Sequence, residues 1–535
     1  MTSTEHVDVV IVGAGPSGAV VAHTLAAGGL SVTCLEQGDW VGPSDYPGEA
    51  EEFELLKQRR WSYDPNIRRL PADYPLNVDQ SDMAPIMWNG VGGGTIVYGG
   101  YWHRLLPSDF CVRSLDGVGD DWPISYRELA PFYREVDQMV GASGLDGDPA
   151  YPSDVTFPQP PLPIGRVGLR AAAAANALEW HWWPGSMAIP SHRHGLLEPC
   201  ARMGVCEYGC PAGAKASFDL AYWPAAIRSG ATLVTGARVC TISTNGCGLT
   251  DGVVWIDRNG ARQRTTANAV VLCANGIGTP RLMLMSASAR HPDGIGNSSG
   301  LVGRNLMLHP NCNSIGYYDD DLESWKGPAG QNVYSLQFYE THPARESVRG
   351  YKLHAFPAPG PLAAVERHRS RPFEELWGHH FHEVARRHRG GLAWGASVED
   401  LPEDSNRVLL DGDLTDSDGL PAPKIEYRLS TNTRANLLHA AKQMKALHTA
   451  ANVLDTFEEV VDAGHLMGTA RMGSNPATSV VDNFGRSHDV RNLFIADGST
   501  FVTSGAVNPT STIAALALRL ARHILESARH ERVTT

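Results

Sequence analysis

What the chain lacks narrows its chemistry first. No stretch approaches the ~18 consecutive apolar residues of a membrane-spanning helix, so no membrane span is expected. The opening MTSTEHVDVVIVGAG passes from a polar start straight into β-branched residues, without the basic and apolar regions of a secretory leader. A cytoplasmic location is the resulting expectation. Basic residues are in deficit, with 45 Lys and Arg against 58 Asp and Glu and a formal net charge of −13. A phosphate-binding face needs a cationic excess, which leaves nucleic acid out as a partner. Nine cysteines, an odd number in 535 residues, suit a reducing compartment better than a disulfide framework. Charged residues make up only 19% and apolar ones 42%, the balance of a globular chain. At ~100–200 residues per domain, the length allows two to four domains or two large interleaved ones.

What is present begins at Val7, with VDVVIVGAGPSGAVVAHTLAAGGLSVTCLEQG. Val7 to Val12 are β-branched and apolar apart from Asp8, the pattern of a parallel strand buried on both faces. Gly13, Gly15 and Gly18 then give GxGxxG spacing around Ser17, where a strand turns into a helix. The first glycine permits the tight turn and the second lets a pyrophosphate approach the backbone. The third allows close helix–strand packing. The helix N-terminus offers free N–H groups and its positive dipole end to phosphate. LSVTCLE supplies a second strand ending at Glu36, whose carboxylate is placed to accept the hydroxyls of an adenosine ribose. The spacing points to a dinucleotide and does not separate FAD from NAD.

ATLVTGARVCTI and NAVVLCANGIGTPRLMLMSA are strand-like, so the same sheet is expected to resume near residue 231 after a long insertion. Between residues 301 and 455 short alternating segments such as NSIGYYDDD and NVYSLQFYE read as a largely antiparallel sheet. TNTRANLLHAAKQMKALHTAANVL is an amphipathic helix leading back. The expected fold class is α/β (α+β overall): a Rossmann-like FAD-binding domain with a second, antiparallel-sheet substrate-binding domain. Residues 1–130, 231–300 and 456–535 are assigned to the first domain. Residues 131–230 and 301–455 go to the second and its connecting segments.

The N-terminal fingerprint and the block HLMGTARMGSNPATSVVDNFGRSHDVRNLFIADGSTFVTSGAVNPTSTIAALALRLA together resemble the glucose–methanol–choline (GMC) oxidoreductases. The resemblance implies FAD, and oxidation of an alcohol by hydride transfer to flavin N5. His465 falls where that family places its catalytic histidine, and Asn508 where it has a second His or Asn. The chemistry agrees. An alcohol carbon releases hydride only as its O–H proton leaves, and a neutral imidazole accepts such a proton near neutral pH. A neighbouring carboxamide holds the oxygen as negative charge develops. Asp497 and Gly498, in IADGS, resemble residues near the ribityl chain and pyrophosphate. Pro509 and Thr510, with Asn508, open a helix toward the flavin pyrimidine edge. Val239 resembles an adenine contact, and Ala274 a contact to the ADP portion.

GVGGGTIVYGGYWHRLLPSDF, with Gly94 and Thr95, resembles the flavin-side segment of pyranose oxidases and of gluconate, sorbitol and fructose dehydrogenases. Some of these attach FAD through a histidine, and alignment of the segment puts Val97 at that position. Valine cannot form the bond, so FAD is expected to be non-covalent; His103 is the nearby alternative. The branch resembled implies a sugar, glycoside or polyol substrate, oxidised at a secondary carbon, with O2 or a carrier as electron acceptor. A lyase that keeps FAD as a structural element, oxidation of a lipophilic or aromatic alcohol, an NAD-dependent dehydrogenase and a non-enzymatic binding protein are the rival readings.

Three further stretches have two readings each. Cys200, Cys206 and Cys210 have a spacing that suits either an iron–sulfur cluster or a tight structural loop, the latter being preferred and no metal site assigned. HHFHEVARRH gathers His379, His380, His382, Glu383 and His388, but lacks HExxH order and reads as a surface helix. Trp180, Trp182 and Trp183 fit sugar stacking or, more commonly, a core or interface anchor.

Overall fold

The computed structural model describes residues 6–47, 53–57, 59–358, 360–362, 377–461 and 463–534. The first strand, His6–Val12, pairs in parallel with Val32–Glu36 on one side and Arg262–Leu272 on the other. Thr232–Thr235 extends the parallel set beyond Val32–Glu36, and Leu493–Ile495 lies parallel to Arg262–Leu272. Thr250–Ile256 and Arg238–Thr244 complete a seven-stranded sheet with antiparallel pairings. The apolar run that marked the first strand is explained by this placement. Val9, Val10 and Ile11 are central to the sheet and fully covered, as both-face burial requires.

Helix Pro16–Ala27 crosses between the first two strands and packs against the C-terminal helix Thr510–Thr534, which also contacts Tyr126–Val140. Small side chains allow the approach. Ala19 and Ala22 on one helix and Ala514, Ala517 and Ala521 on the other are completely buried. Tyr126–Val140 starts at a capping box, in which the Ser125 hydroxyl accepts the Glu128 N–H and the Glu128 carboxylate accepts the Ser125 N–H.

The second sheet has six strands, in the order Asp455–Val461, Asn311–Tyr317, Gly391–Val398, Tyr351–Pro357, Val333–Ser335, Trp183–Pro184. Every pairing in it is antiparallel. Side-chain alternation along YKLHAFP sorts its two faces. Tyr351, Leu353 and Ala355 join the apolar cluster with Ala440, Met444 and Leu447 of helix Thr431–Ala450. Lys352, His354 and Phe356 therefore share the opposite face, and His354 and Phe356 reach the cleft between the sheets.

The architecture is α/β with a Rossmann-like domain and a separate antiparallel sheet. Two boundaries differ from the sequence expectation. Asp455–Val461 pairs with Asn311–Tyr317, so the chain rejoins the first sheet only at Leu493, not at residue 456. Asn77–Ser81, expected within the first domain, instead pairs in parallel with Pro421–Tyr427 in a small sheet that also holds Arg407–Thr415. Strand partners chosen at long range leave no local mark in sequence, which is why both boundaries were displaced.

Candidate active site

A cavity of about 500 Å3 runs between the two sheets, within the ~300–1,000 Å3 range of ligand pockets. At its dinucleotide end the first turn is held by sterics. Gly13 has φ +101°, and a Cβ there would lie 2.5 Å from the Cys273 carbonyl oxygen. At Gly18 a Cβ would meet the Gly13 carbonyl oxygen at 2.0 Å, so this glycine sets helix–strand contact and does not itself line the cavity. Gly15, Ser17 and Glu36 do line it, as do Val239 and Ala274. Glu36 accepts the Ala14 N–H at 2.8 Å through one oxygen and the Gly38 N–H at 2.9 Å through the other. Burial pushes its carboxyl above the usual range while these bonds oppose the shift. The carboxylate thus braces the glycine turn as well as facing the cavity.

Further along stand Gly94, Thr95 and Val97, then Asp497, Gly498, Pro509 and Thr510. Asp497 is fixed by the Ser499 N–H at 2.9 Å and the Thr279 hydroxyl at 2.5 Å. The helix at Pro16 begins without a side-chain cap, and a Cβ on Gly94 would meet nothing within 4 Å. An uncapped helix N-terminus and an open glycine segment across from it fit the pyrophosphate and ring system of a flavin dinucleotide.

At the other end His465 and Asn508 come together, their Nε2 and Nδ2 atoms 3.3 Å apart. Behind His465 lies His309, with the two Nδ1 atoms at 2.8 Å. His309 Nε2 lies 2.8 Å from the Gly505 carbonyl oxygen. A carbonyl only accepts, so His309 carries its proton on Nε2 and presents a bare Nδ1. His465 must then donate from Nδ1, which leaves its Nε2 lone pair toward Asn508 and the cavity. Burial holds the His465 imidazole well below its ordinary pKa, with the neighbouring His309 and Lys352 acting in the same direction, and burial brings His309 down to about 4. Both rings are neutral near pH 7.

Asn508 is held from its far side. Lys352 Nζ donates to its Oδ1 at 2.5 Å, so the carboxamide turns its N–H group toward His465. Ser397 donates to Asn311 at 2.9 Å, and Asn311 donates to the His309 carbonyl at 2.6 Å, anchoring the histidine from the sheet. His309 and Lys352 were not singled out from sequence. The one available signal was alternation in YKLHAFP, which places a lysine on the same strand face as His354.

The loop carrying Gly505 and Asn508 rests on a buried ionic hub. Arg349, fully buried, pairs with Asp109 at 2.5 Å and with Glu399 at 2.9 Å. Asp109 accepts the Tyr339 hydroxyl at 2.8 Å, and that hydroxyl in turn accepts the Ala506 N–H at 3.0 Å. Ser504 donates to the Asp400 carbonyl at 2.8 Å.

The remaining sequence candidates lie apart. His103 is buried away from the cavity lining, its ring nitrogens facing Gln331 at 3.0 Å and Ser186 at 3.4 Å. Cys206 and Cys210 accept backbone N–H groups from Ala329 and Ala214, and burial pushes the Cys206 thiol up to about 12. Their loop is tied to the flavin-side segment by Lys215, which donates to the carbonyls of Ile96, Tyr98 and Cys206 at 2.6–2.9 Å. Among the described residues no group of His, Cys, Asp and Glu is arranged to hold a metal ion. His379 and His380 are exposed on helix Gly378–Arg387 beside Glu383. Trp180 packs edge-on against Phe338, while the indoles of Trp182 and Trp183 bond Asn176 and the Leu145 carbonyl. All three anchor structure away from the cavity lining.

Comparison with known proteins agrees with this geometry. Residues 169–311 and 402–517 match two models described as GMC oxidoreductase, and residues 11–73 match an NAD(P)-binding Rossmann-like domain. The chain is 41% identical to the 2-methyl-1,2-propanediol dehydrogenase of Mycolicibacterium austroafricanum, over 98% of this chain and 96% of that one. It is 30% identical to the fructose dehydrogenase large subunit of Gluconobacter japonicus, over 98% of both. Identity is also 30% to the paromamine 6'-oxidase of Streptomyces fradiae, over 97% and 91%. In fold it is similar to pyridoxine 4-oxidase from Mesorbium loti, with TM-score 0.67, 18% identity and coverage of 96% and 98%. Among the described residues no helix is long and apolar enough to cross a membrane. The chain belongs to the GMC oxidoreductases and is an oxidoreductase with FAD as its cofactor.

Proposed function

We propose that this enzyme oxidises the CH–OH group of a small polyol or sugar-like alcohol, with His465 as general base. The observation that carries the reading is the convergence of the His465 lone pair and the Asn508 N–H group on one point of the cavity wall. The alcohol O–H donates to His465 Nε2, and its oxygen accepts from Asn508 Nδ2. FAD, when bound, supplies the two-electron acceptor for the hydride that leaves the carbon. The proton passes to His465 as the C–H bond breaks, and Asn508 stabilises the alkoxide character that develops on oxygen. Gly94, Thr95, Val97 and the Asn508–Thr510 helix start hold the flavin ring. Gly13, Gly15, Ser17, Glu36, Val239, Ala274, Asp497 and Gly498 hold the rest of the cofactor, and Gly18 seats the glycine turn.

On this reading the seven-stranded sheet binds cofactor and the six-stranded sheet binds substrate. Asn311, Asn313, Ser397 and His354 make the substrate-facing wall polar, which suits a hydroxylated compound. A secondary carbon of a sugar, glycoside or polyol is one position for attack. The 41% identical relative favours a second, the primary carbon of a short diol. In 2-methyl-1,2-propanediol only the primary carbinol carbon bears a hydrogen. Anaerobic mixing of holoenzyme with sugars, glycosides, short diols and simple alcohols, followed by loss of flavin absorbance, tests the proposal. Bleaching by none of them would reject it, and the better class of donor chooses between the two carbons. Repeating turnover with O2 and with an artificial carrier identifies the acceptor.

A further inference from the structure

We propose that Lys352 is a positioning residue for this reaction: it grips Asn508 by Oδ1, so that the carboxamide N–H group meets the substrate oxygen correctly placed and polarised. The inference rests on the reading of function above and assigns a role to a residue outside it.

Lys352 is completely buried. Among the described residues no carboxylate forms an ion pair with it, and burial pushes its pKa well below the ordinary lysine value. Its Nζ atom instead meets three groups around the site. It donates to Asn508 Oδ1 at 2.5 Å, faces Gln331 Oε1 at 3.5 Å and lies 4.8 Å from the centre of the Tyr101 ring. Gln331 donates its own N–H to the Ser186 carbonyl at 3.0 Å, which turns its oxygen toward Lys352. The lysine is thus a donor held among oriented acceptors, and the shortest contact is to Asn508.

The two described hydrogen-bond contacts of the Asn508 side chain are Lys352 on the oxygen and His465 Nε2 on the nitrogen. An isolated carboxamide in a cavity rotates and swings. A hydrogen bond to its oxygen fixes the side chain and draws electron density from the nitrogen, strengthening N–H donation at the other end. Demand for that donation rises as the substrate oxygen gains negative charge, so the effect belongs to the transition state more than to substrate binding.

The test combines Lys352→Met, Asn508→Ala and the double variant, all as FAD-loaded protein, in anaerobic single-turnover reduction. Lys352→Met should lower the limiting reduction rate at least ~10-fold, with little change in substrate dissociation constant. In the Asn508→Ala background the same substitution should cost almost nothing. Equal losses in both backgrounds, or no loss in the native one, would overturn the proposal. Should Lys352→Met not retain FAD, the same comparison is made with Lys352→Gln, whose neutral, shorter side chain withdraws from Oδ1. A second readout needs no turnover. In holoenzyme labelled with 15N-asparagine, the Asn508 side-chain amide signal, identified by its absence from Asn508→Ala, should be sharp and slow to exchange. In the Lys352 variant it should broaden or exchange faster, and an unchanged signal would also overturn the proposal. If no alcohol reduces the native flavin, the reading of function fails, and the role of Lys352 is judged on this signal.

Discussion

His309 and His465 meet through their Nδ1 atoms at 2.8 Å, and the Gly505 carbonyl behind His309 decides which ring gives the bridging proton. On the proposed function, the cavity-facing nitrogen of His465 is then a ready base before substrate arrives. Replacing His465 with Ala should slow anaerobic flavin reduction by at least ~10²-fold, the low end for a positioned acid–base group. Because its ring is assigned to the alcohol, FAD content should stay near the native level. Reduction at the native rate would place the base elsewhere.

His309→Phe keeps the bulk behind His465 and removes the acceptor that fixes its tautomer. The limiting reduction rate should fall about 10-fold, the worth of one hydrogen bond at ~1.4 kcal/mol. Stopped-flow reduction of the two proteins side by side measures it, and an unaffected rate would show that the carbonyl relay does not matter.

The pH dependence follows from the direction of the shifts. Burial lowers the His465 pKa well below its ordinary value, so the base form persists into acid. Limiting reduction should be flat across neutral pH and fall only well below ~6.5, the reference value for histidine. A midpoint near 6.5 in the native enzyme, lost in His465→Ala, would contradict the desolvated dyad.

Stability should follow the same groups. Burial depresses His309 and His448 to about 4 each. In the unfolded chain these rings take up protons near ~6.5, so their neutral burial favours the fold above that pH. The contribution is lost as pH falls from ~6.5 toward 4, on the order of 3 kcal/mol from His309 alone. Melting temperature of holoenzyme should drop through this window, and a constant value from pH 7 to 4 would count against it.

Arg349→Met removes the cation that pairs with both Asp109 and Glu399, leaving buried carboxylates uncompensated. A loss of about 3–5 kcal/mol is expected, read by denaturant unfolding. The Gly505–Asn508 loop leans on this hub through Tyr339, so activity per bound FAD should fall as well.

FAD should be released by acid precipitation. Val97, which the motif alignment puts at the attaching histidine's position, lines the cavity, and His103 is directed at Gln331 and Ser186 instead. Yellow colour retained in the pellet would show a covalent link.

Much of the cofactor side could be read directly. GAGPSG and the preceding apolar run specify a strand, turn and helix through short-range sterics, and Gly13 and Gly18 show in the structure the close contacts that demand glycine. Alternation in the middle of the chain marked the strands Asn311–Tyr317 and Val333–Ser335, and the helix Thr431–Ala450 was evident from its period. The small sheet that draws Asn77–Ser81 to Pro421–Tyr427 was not legible, because the pairing spans hundreds of residues without a local pattern.

The sequence by itself determined the dinucleotide turn and the family, and it singled out His465 and Asn508, since each rests on a contiguous motif whose spacing is its chemistry. Only the tertiary structure decided their protonation and orientation. His309, Lys352 and Arg349 stand at strand starts or in strands of ordinary appearance, and they gain their roles from neighbours 156 residues away in sequence for both His309–His465 and Lys352–Asn508. A tautomer is set by the acceptor behind a ring and a carboxamide by the donor at its oxygen, and both partners are supplied by folding.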